Sequence, residues 1–256
     1  MQRLFAVDGK SVLVTGGSRG IGRMIAQAFV EAGARVYISS RKADVCEQVA
    51  GELSAGGTCV ALPADLSTEA EANRLAAAVA DREDALDVLV NNAGATWGAP
   101  LADYPDSGWD KVLAVNLKGP FCLTRACLPL LERAASAADP ARVINIGSID
   151  GLRVPLLETY AYSASKAGLH HLTRVLAQQL AGRRITVNAV APGPFESKMM
   201  AATLEQFGDA IRDACPLGRI GAPEDMAGVA IYLASRAAAY VTGQVIAVDG
   251  GLSTRP

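Results

Sequence analysis

Short, almost wholly apolar runs alternate along the chain with longer stretches in which apolar residues recur every three or four positions. The first run, Lys10–Thr15, is continuous rather than alternating, as expected for a strand buried on both faces of a sheet. Behind it, Ile21, Met24, Ile25, Ala28 and Phe29 fall on one face of a helix that Gly33 closes. The same reading gives strands at Arg35–Ser39, Thr58–Leu62, Asp87–Val90, Arg142–Ile146, Ile185–Val190 and Val245–Val248. Between them lie helices over Ala43–Ala55, Thr68–Asp81 and Pro223–Ala234. Ser107 reads as the N-cap of one long helix from Gly108 to about Ala135. A further helix carries Leu169, Leu172, Leu176 and Leu180 as its buried stripe. Strand and helix alternate throughout, with no repeat, low-complexity segment or linker. The crossover rule then predicts one α/β domain over residues 1–256, a doubly wound parallel sheet of about seven strands with helices on both faces.

In such sheets ligands bind beyond the carboxyl ends of the strands, and that is where the unusual residues fall. The first strand runs into Gly16-Gly17-Ser18-Arg19-Gly20-Ile21-Gly22. Gly16 permits a tight turn, Gly20 a close backbone approach to a pyrophosphate, and Gly22 close helix–strand packing, with the helix N-terminus facing the anion. The second strand ends in Ser39-Ser40-Arg41-Lys42, with no carboxylate before Asp44. A carboxylate there would hold a ribose hydroxyl and repel a 2′-phosphate, whereas Arg41 can pair with that phosphate bidentately and Arg19 can approach it. This selects NADP(H) over NAD(H), the plainer role for Arg41 and Lys42 being an exposed loop. Two roles are open to Asp65: acceptor for an adenine amino group, or carboxylate at a helix N-terminus. Asn91-Asn92-Ala93-Gly94 can pack over a bound cofactor or lock a turn. Asn116, between Val115 and Leu117, is a buried amide needing partners, either in the core or in the chemistry.

The fifth strand leads to Ser148, and Tyr162 and Lys166 follow four residues apart. On a helix those two share a face. An ammonium beside a phenol draws its pKa down from about 10 and makes it a usable acid or base near neutrality. Tyr160, six residues from Lys166, lies on another face. Ser148 can hydrogen-bond the same substrate oxygen.

Composition narrows the field. Half of the 256 residues are hydrophobic and only 5% aromatic, so the core is aliphatic. The net charge of −2 has no basic concentration, and nothing marks nucleic-acid or membrane binding. Five cysteines without a C-x-x-C motif fit a reducing compartment. The adjacent histidines His170 and His171 cannot form an i, i+4 metal pair and are expected on a surface or half-buried helix; no metal is expected. With no leader-like apolar segment, the expectation is a soluble cytoplasmic protein.

Taken together, Thr15–Gly22 (T-G-G-S-R-G-I-G), N-N-A-G, Asn116, Ser148, Y-S-A-S-K, A-P-G and Y-V-T-G-Q-V-I-A-V-D-G-G resemble the short-chain dehydrogenase/reductase family over essentially the whole chain. The resemblance implies a Rossmann-type fold binding NADPH/NADP+, with Asn116, Ser148, Tyr162 and Lys166 catalytic. Tyr162 is then the general acid in reduction, Lys166 lowers its pKa and holds the nicotinamide ribose, Ser148 positions the substrate oxygen, and Asn116 holds a relay water. The implied cofactor contacts are Gly16, Ser18, Arg19, Gly20, Ile21, Gly22, Ser40, Arg41, Asp65, Leu66, Asn92, Ala93, Gly94, Tyr162, Lys166, Pro192, Gly193, Phe195 and Ser197. Relatives often read F-I-x-T after Pro-Gly; here Pro194-Phe195-Glu196-Ser197 stands instead, Ser197 keeping the hydroxyl. P-L-G-R-I-G-A-P-E-D (Pro216–Asp225) is similar to the 3-oxoacyl reductases of the family. The substrate implied is a small-molecule carbonyl, a carrier-protein or coenzyme A thioester, and the assembly a homotetramer. Leu152, Val154, Leu156 and Leu157, with Met199, Met200, Leu204, Phe207 and Ile211, are the candidate pocket lining. Residues 194–215 form a lid, or else pack on the body or a neighbouring subunit. Other readings stay open: an alcohol or steroid dehydrogenase, and a cofactor-binding regulator without chemistry.

Overall fold

The computed structural model describes residues 2–155, 157–196 and 200–254. Seven strands form one parallel sheet: β1 Ser11–Thr15, β2 Arg35–Ser39, β3 Thr58–Ala61, β4 Val88–Asn91, β5 Ala141–Ile146, β6 Ile185–Pro192 and β7 Val245–Val248. Their spatial order is β3-β2-β1-β4-β5-β6-β7. The strands of β1, β4, β5 and β6 are buried at every position, which is why their sequences read as unbroken apolar runs. Alternate residues serve opposite faces. Val12, Val14, Val36, Ile38, Val88 and Val90 pack under α1 (Gly20–Glu31), α2 (Ala43–Leu53) and α8 (Pro223–Ala234). Leu13, Tyr37, Leu89, Val143 and Val187 meet α3 (Glu69–Ala80), α5 (Gly119–Ala134) and α6 (Tyr160–Leu180). The predicted doubly wound architecture is therefore the observed one. No helix among the described residues is long and apolar enough to cross a membrane.

Local differences have physical causes. The expected single helix 108–135 is two: α4 (Asp106–Leu113) and α5, joined by one π-helical segment, Ala114–Lys118. Its start is Pro105, whose side chain makes no cap, so Ser107 sits inside the first turn rather than capping it. On α6 the buried stripe is Leu169, His170, Thr173, Ala177 and Leu180, with Leu172 and Leu176 only half-buried. His170 is thus deep in the fold at 2% exposure, against expectation, while His171 is exposed. All five cysteines are unpaired and buried. No cluster of metal-binding side chains occurs among the described residues.

Candidate active site

A cleft of about 890 Å³ opens beyond the carboxyl ends of the strands, beside the reversal of strand order between β1 and β4. Gly16 has φ +67, and a side chain at Gly22 would strike both the Asn92 amide and the Gly16 carbonyl. Asn92 Nδ2 donates to the Thr15 and Gly16 carbonyls (2.8 and 3.3 Å). Thr15 Oγ1 accepts from the backbone N–H of Asn92 and of Ala93, both at 2.9 Å. The ends of β1 and β4 are clipped together, and the glycine turn is held open above them. Helix α1 has no side-chain cap and no acidic residue in its first turn, so its N-terminal N–H groups remain available to an anion.

Ser18, Arg19, Gly20, Ile21 and Gly22 line this end of the cleft, as do Ser40, Arg41 and Lys42 after β2. Among the described residues neither Arg19 nor Arg41 forms an ion pair, so both guanidinium groups are uncommitted donors at the cleft edge. Asp65 and Leu66 also reach the cleft. Asp65 Oδ1 accepts from the Ser67 N–H (3.1 Å), while Thr68 caps α3, so the helix-carboxylate role falls to others. Ala93 and Gly94 line the wall, but Asn91 turns inward to Thr124 and Asn145 (3.2 and 2.9 Å). The donor set, the uncapped helix and the absence of a carboxylate after β2 fit a dinucleotide bearing a 2′-phosphate.

Ser148, Tyr162 and Lys166 line the same cleft. Lys166 Nζ lies 5.6 Å from the Tyr162 ring centroid and donates to the Ile146 carbonyl at 2.7 Å, which ties the end of β5 to α6. Ser148 Oγ accepts from the Asp150 N–H at 3.1 Å. Tyr160 points elsewhere, donating to Glu158 at 2.8 Å and stacking edge-on against Tyr104. Asn116 is fully buried behind the wall rather than on it. Its amide accepts from the Ala95 N–H (2.8 Å) and donates to the Ala95 carbonyl (2.9 Å) and Ser165 Oγ (3.0 Å). It secures the π segment to the 92–95 loop.

The expected depression of the Tyr162 pKa is absent in the chain by itself. Burial pushes the phenol up to about 12; the Ser148 hydroxyl opposes this and the Asp150 carboxylate adds to it. Burial also brings Lys166 down to about 8. For Tyr162, desolvation outweighs the Ser148 hydrogen bond that opposes it.

Pro192 and Gly193 line the cleft. Phe195 reaches it only in part: it is 2% exposed, and its ring packs against Gly221. Ser197, Leu156 and Met199 lie outside the described residues. Helix α7 (Ala201–Ala214) presents Thr203, Phe207, Ala210, Ile211 and Ala214 to the cleft, joined by Met200 just before it. Leu204 does not line the cleft. Leu157 lines the cleft, whereas Val154 is 90% exposed and Leu152 faces outward too. Asp150, Arg153 and Ser165 were missed from the sequence. Asp150 was within reach of the strand-end argument, because it stands two residues past Ser148.

The chain belongs to the short-chain dehydrogenase/reductase family: residues 16–253 match the family model described as enoyl-(acyl carrier protein) reductase. Among its relatives, a rhamnolipids biosynthesis 3-oxoacyl-[acyl-carrier-protein] reductase of Pseudomonas aeruginosa is 53% identical over 253 residues, 98% of this chain and 99% of the relative. Galactitol 2-dehydrogenase (L-tagatose-forming) of Cereibacter sphaeroides is 39% identical over 97% of this chain and 96% of the relative. Among solved structures, the Pseudomonas aeruginosa RhlG/NADP active-site complex superposes with a TM-score of 0.95 at 52% identity, covering 99% of this chain and all of the other.

Proposed function

We propose that this protein is an NADPH-dependent reductase that converts the ketone of a 3-oxoacyl thioester to an alcohol. The observation that carries the reading is one cleft holding Ser148, Tyr162 and Lys166 together with the uncommitted guanidinium groups of Arg19 and Arg41. The names of the relatives, 3-oxoacyl reductase and NADP complex, support it. The nicotinamide cofactor, when bound, supplies the hydride. Ser148 donates to the substrate carbonyl oxygen and orients it. Tyr162, neutral at pH 7, donates its proton to that oxygen as negative charge develops. Lys166 then stands 5.6 Å from the phenolate ring as its counter-charge. A phenol held high stays protonated at neutral pH, the form that can donate in reduction. Asn116 holds the loop that frames Lys166.

Carriage of the acyl group by a carrier protein or coenzyme A, a cytoplasmic setting and a homotetramer belong to the same proposal. An apolar groove of about 590 Å³, lined by Leu113, Leu117, Phe121, Leu172 and Val175, is consistent with subunit contact. Residues 194–215 act as the lid over the acyl chain. The test is absorbance at 340 nm with NADPH and a panel of 3-oxoacyl thioesters and hydrophobic ketones. Turnover of the thioesters is expected; no turnover of any panel member overturns the activity.

A further inference from the structure

Several carboxylates that the fold half-buries are held by donors. Glu83 accepts from Arg35 and Tyr37, Asp139 from Lys10 and Arg142, and Asp249 from the N–H groups of Gly251 and Ser253. Asp150 is half-buried as well. Among the described residues, however, its carboxylate accepts no hydrogen bond and forms no ion pair within 4 Å. Burial pushes its pKa up, and the charge of Arg153 opposes this. A partly desolvated, unpaired carboxylate is costly, and here the cost falls at the reacting end of the cleft.

The position of Asp150 is fixed on both sides. Its N–H donates to Ser148 Oγ at 3.1 Å. The next residue, Gly151, is pressed onto α6: a Cβ there would meet the Ala167 nitrogen and the Lys166 carbonyl carbon at 2.7 Å and the His170 ring at 2.9 Å. The turn thus holds Asp150 against the stretch of α6 that carries Tyr162 and Lys166, and all three line the cleft with Ser148. The Tyr162 phenol feels the carboxylate's charge. Few other charges surround it. Arg153 is exposed, three residues on. From α6 come Lys166 and His170, the latter brought down to about 4 by burial and so neutral at pH 7. Asp249, beyond β7, shares the influence of Arg153. Helix α7 presents no charged side chain to the cleft, and Arg19, Arg41, Lys42 and Asp65 line its cofactor end.

In reduction Tyr162 gives its proton to the carbonyl oxygen and becomes a phenolate; the reverse reaction begins from that phenolate. A carboxylate nearby disfavours a second negative charge. We propose that Asp150 is a positioning residue for the reacting proton: its uncommitted carboxylate, held between Ser148 and the catalytic helix, opposes the phenolate of Tyr162 and sets the pH range over which the enzyme works. This rests on the 3-oxoacyl reductase reading above.

The full-length enzyme is assayed as a function of pH in both directions, on 3-hydroxyoctanoyl-coenzyme A with NADP+ and on 3-oxooctanoyl-coenzyme A with NADPH. Oxidation rises with pH as the phenolate forms, and reduction falls over the same range as the proton is lost. Asp150→Asn keeps the backbone N–H and the shape but removes the charge, and it moves both midpoints of kcat/KM down by about one pH unit. Asp150→Glu keeps the charge and returns the midpoints most of the way to wild type. A merely structural role would lower the rate at every pH and leave the midpoints in place, and that result overturns the proposal. Equal shifts in the Asn and Glu variants overturn it too, because charge is then not the cause. Wild-type enzyme that turns over neither thioester overturns the reductase reading itself, and this inference with it.

Discussion

At the scale of the residue, Tyr162 and His170 show what one turn of helix and a tight core impose on side-chain chemistry. Tyr162 is a protonated phenol at neutral pH, with Lys166 held off it by the Ile146 carbonyl. Tyr162→Phe should therefore lower kcat by about 10²–10⁴-fold, the usual worth of a positioned acid, while NADPH affinity measured by nucleotide fluorescence changes little. His170 lies one turn beyond Lys166 and packs against Gly147 and Gly151, leaving no room for a side chain at Gly147. Burial, with the charge of Lys166, brings its imidazole down to about 4. The unfolded chain, with a value near 6.5, binds a proton that the folded one refuses between those limits. Stability is full above about pH 6.5 and falls as the pH drops toward 4. Urea unfolding at pH 7 and pH 5 should show a loss on the order of 2 kcal/mol from this group. His170→Asn should remove that component, and an identical pH dependence in the variant would refute the assignment.

At the scale of the element, the segment from α4 to α5 and the glycine turn carry the most information. Periodicity marks Ala114–Lys118 as helical, and so it is. The π geometry, however, accompanies hydrogen bonds from Asn116 to Ala95 and Ser165, partners 21 and 49 residues away. In the glycine turn the reverse holds: the need for small residues is local and visible. Gly22→Ala should disrupt the contact with Asn92 and Gly16, and NADPH binding measured by calorimetry should weaken at least tenfold with the helical content preserved. Arg41→Ala should lower the NADPH-over-NADH preference in kcat/KM by about 10–100-fold, the worth of a charge-assisted pair.

At the scale of the molecule, the strand order reverses between β1 and β4, and the residues expected to hold the cofactor line the cleft beside that reversal. Ligand that binds only the folded chain stabilises it, so NADPH at 100 times its Kd should add about 2.7 kcal/mol. For a chain of this length that is roughly 5–10 °C in Tm by differential scanning. Light scattering should return a mass near four times the 26.5 kDa of one chain; a monomer would exclude the tetramer.

Much was determined by the sequence alone. Unbroken apolar runs and helical periodicity yield the parallel sheet, because strand burial on both faces and the 3.6-residue repeat are properties of neighbouring residues. The glycine turn, Arg41 and the Tyr162–Lys166 spacing were legible for the same reason: each needs only a short stretch of backbone and its position after a strand or on a helix. The tertiary structure alone decided that Tyr162 titrates high, that His170 is buried, that Asn116 faces Ala95, and that Asp150 and Arg153 share a wall with α7. Desolvation and electrostatic balance are sums over groups brought together from distant strands and helices, and no local pattern records which groups those are.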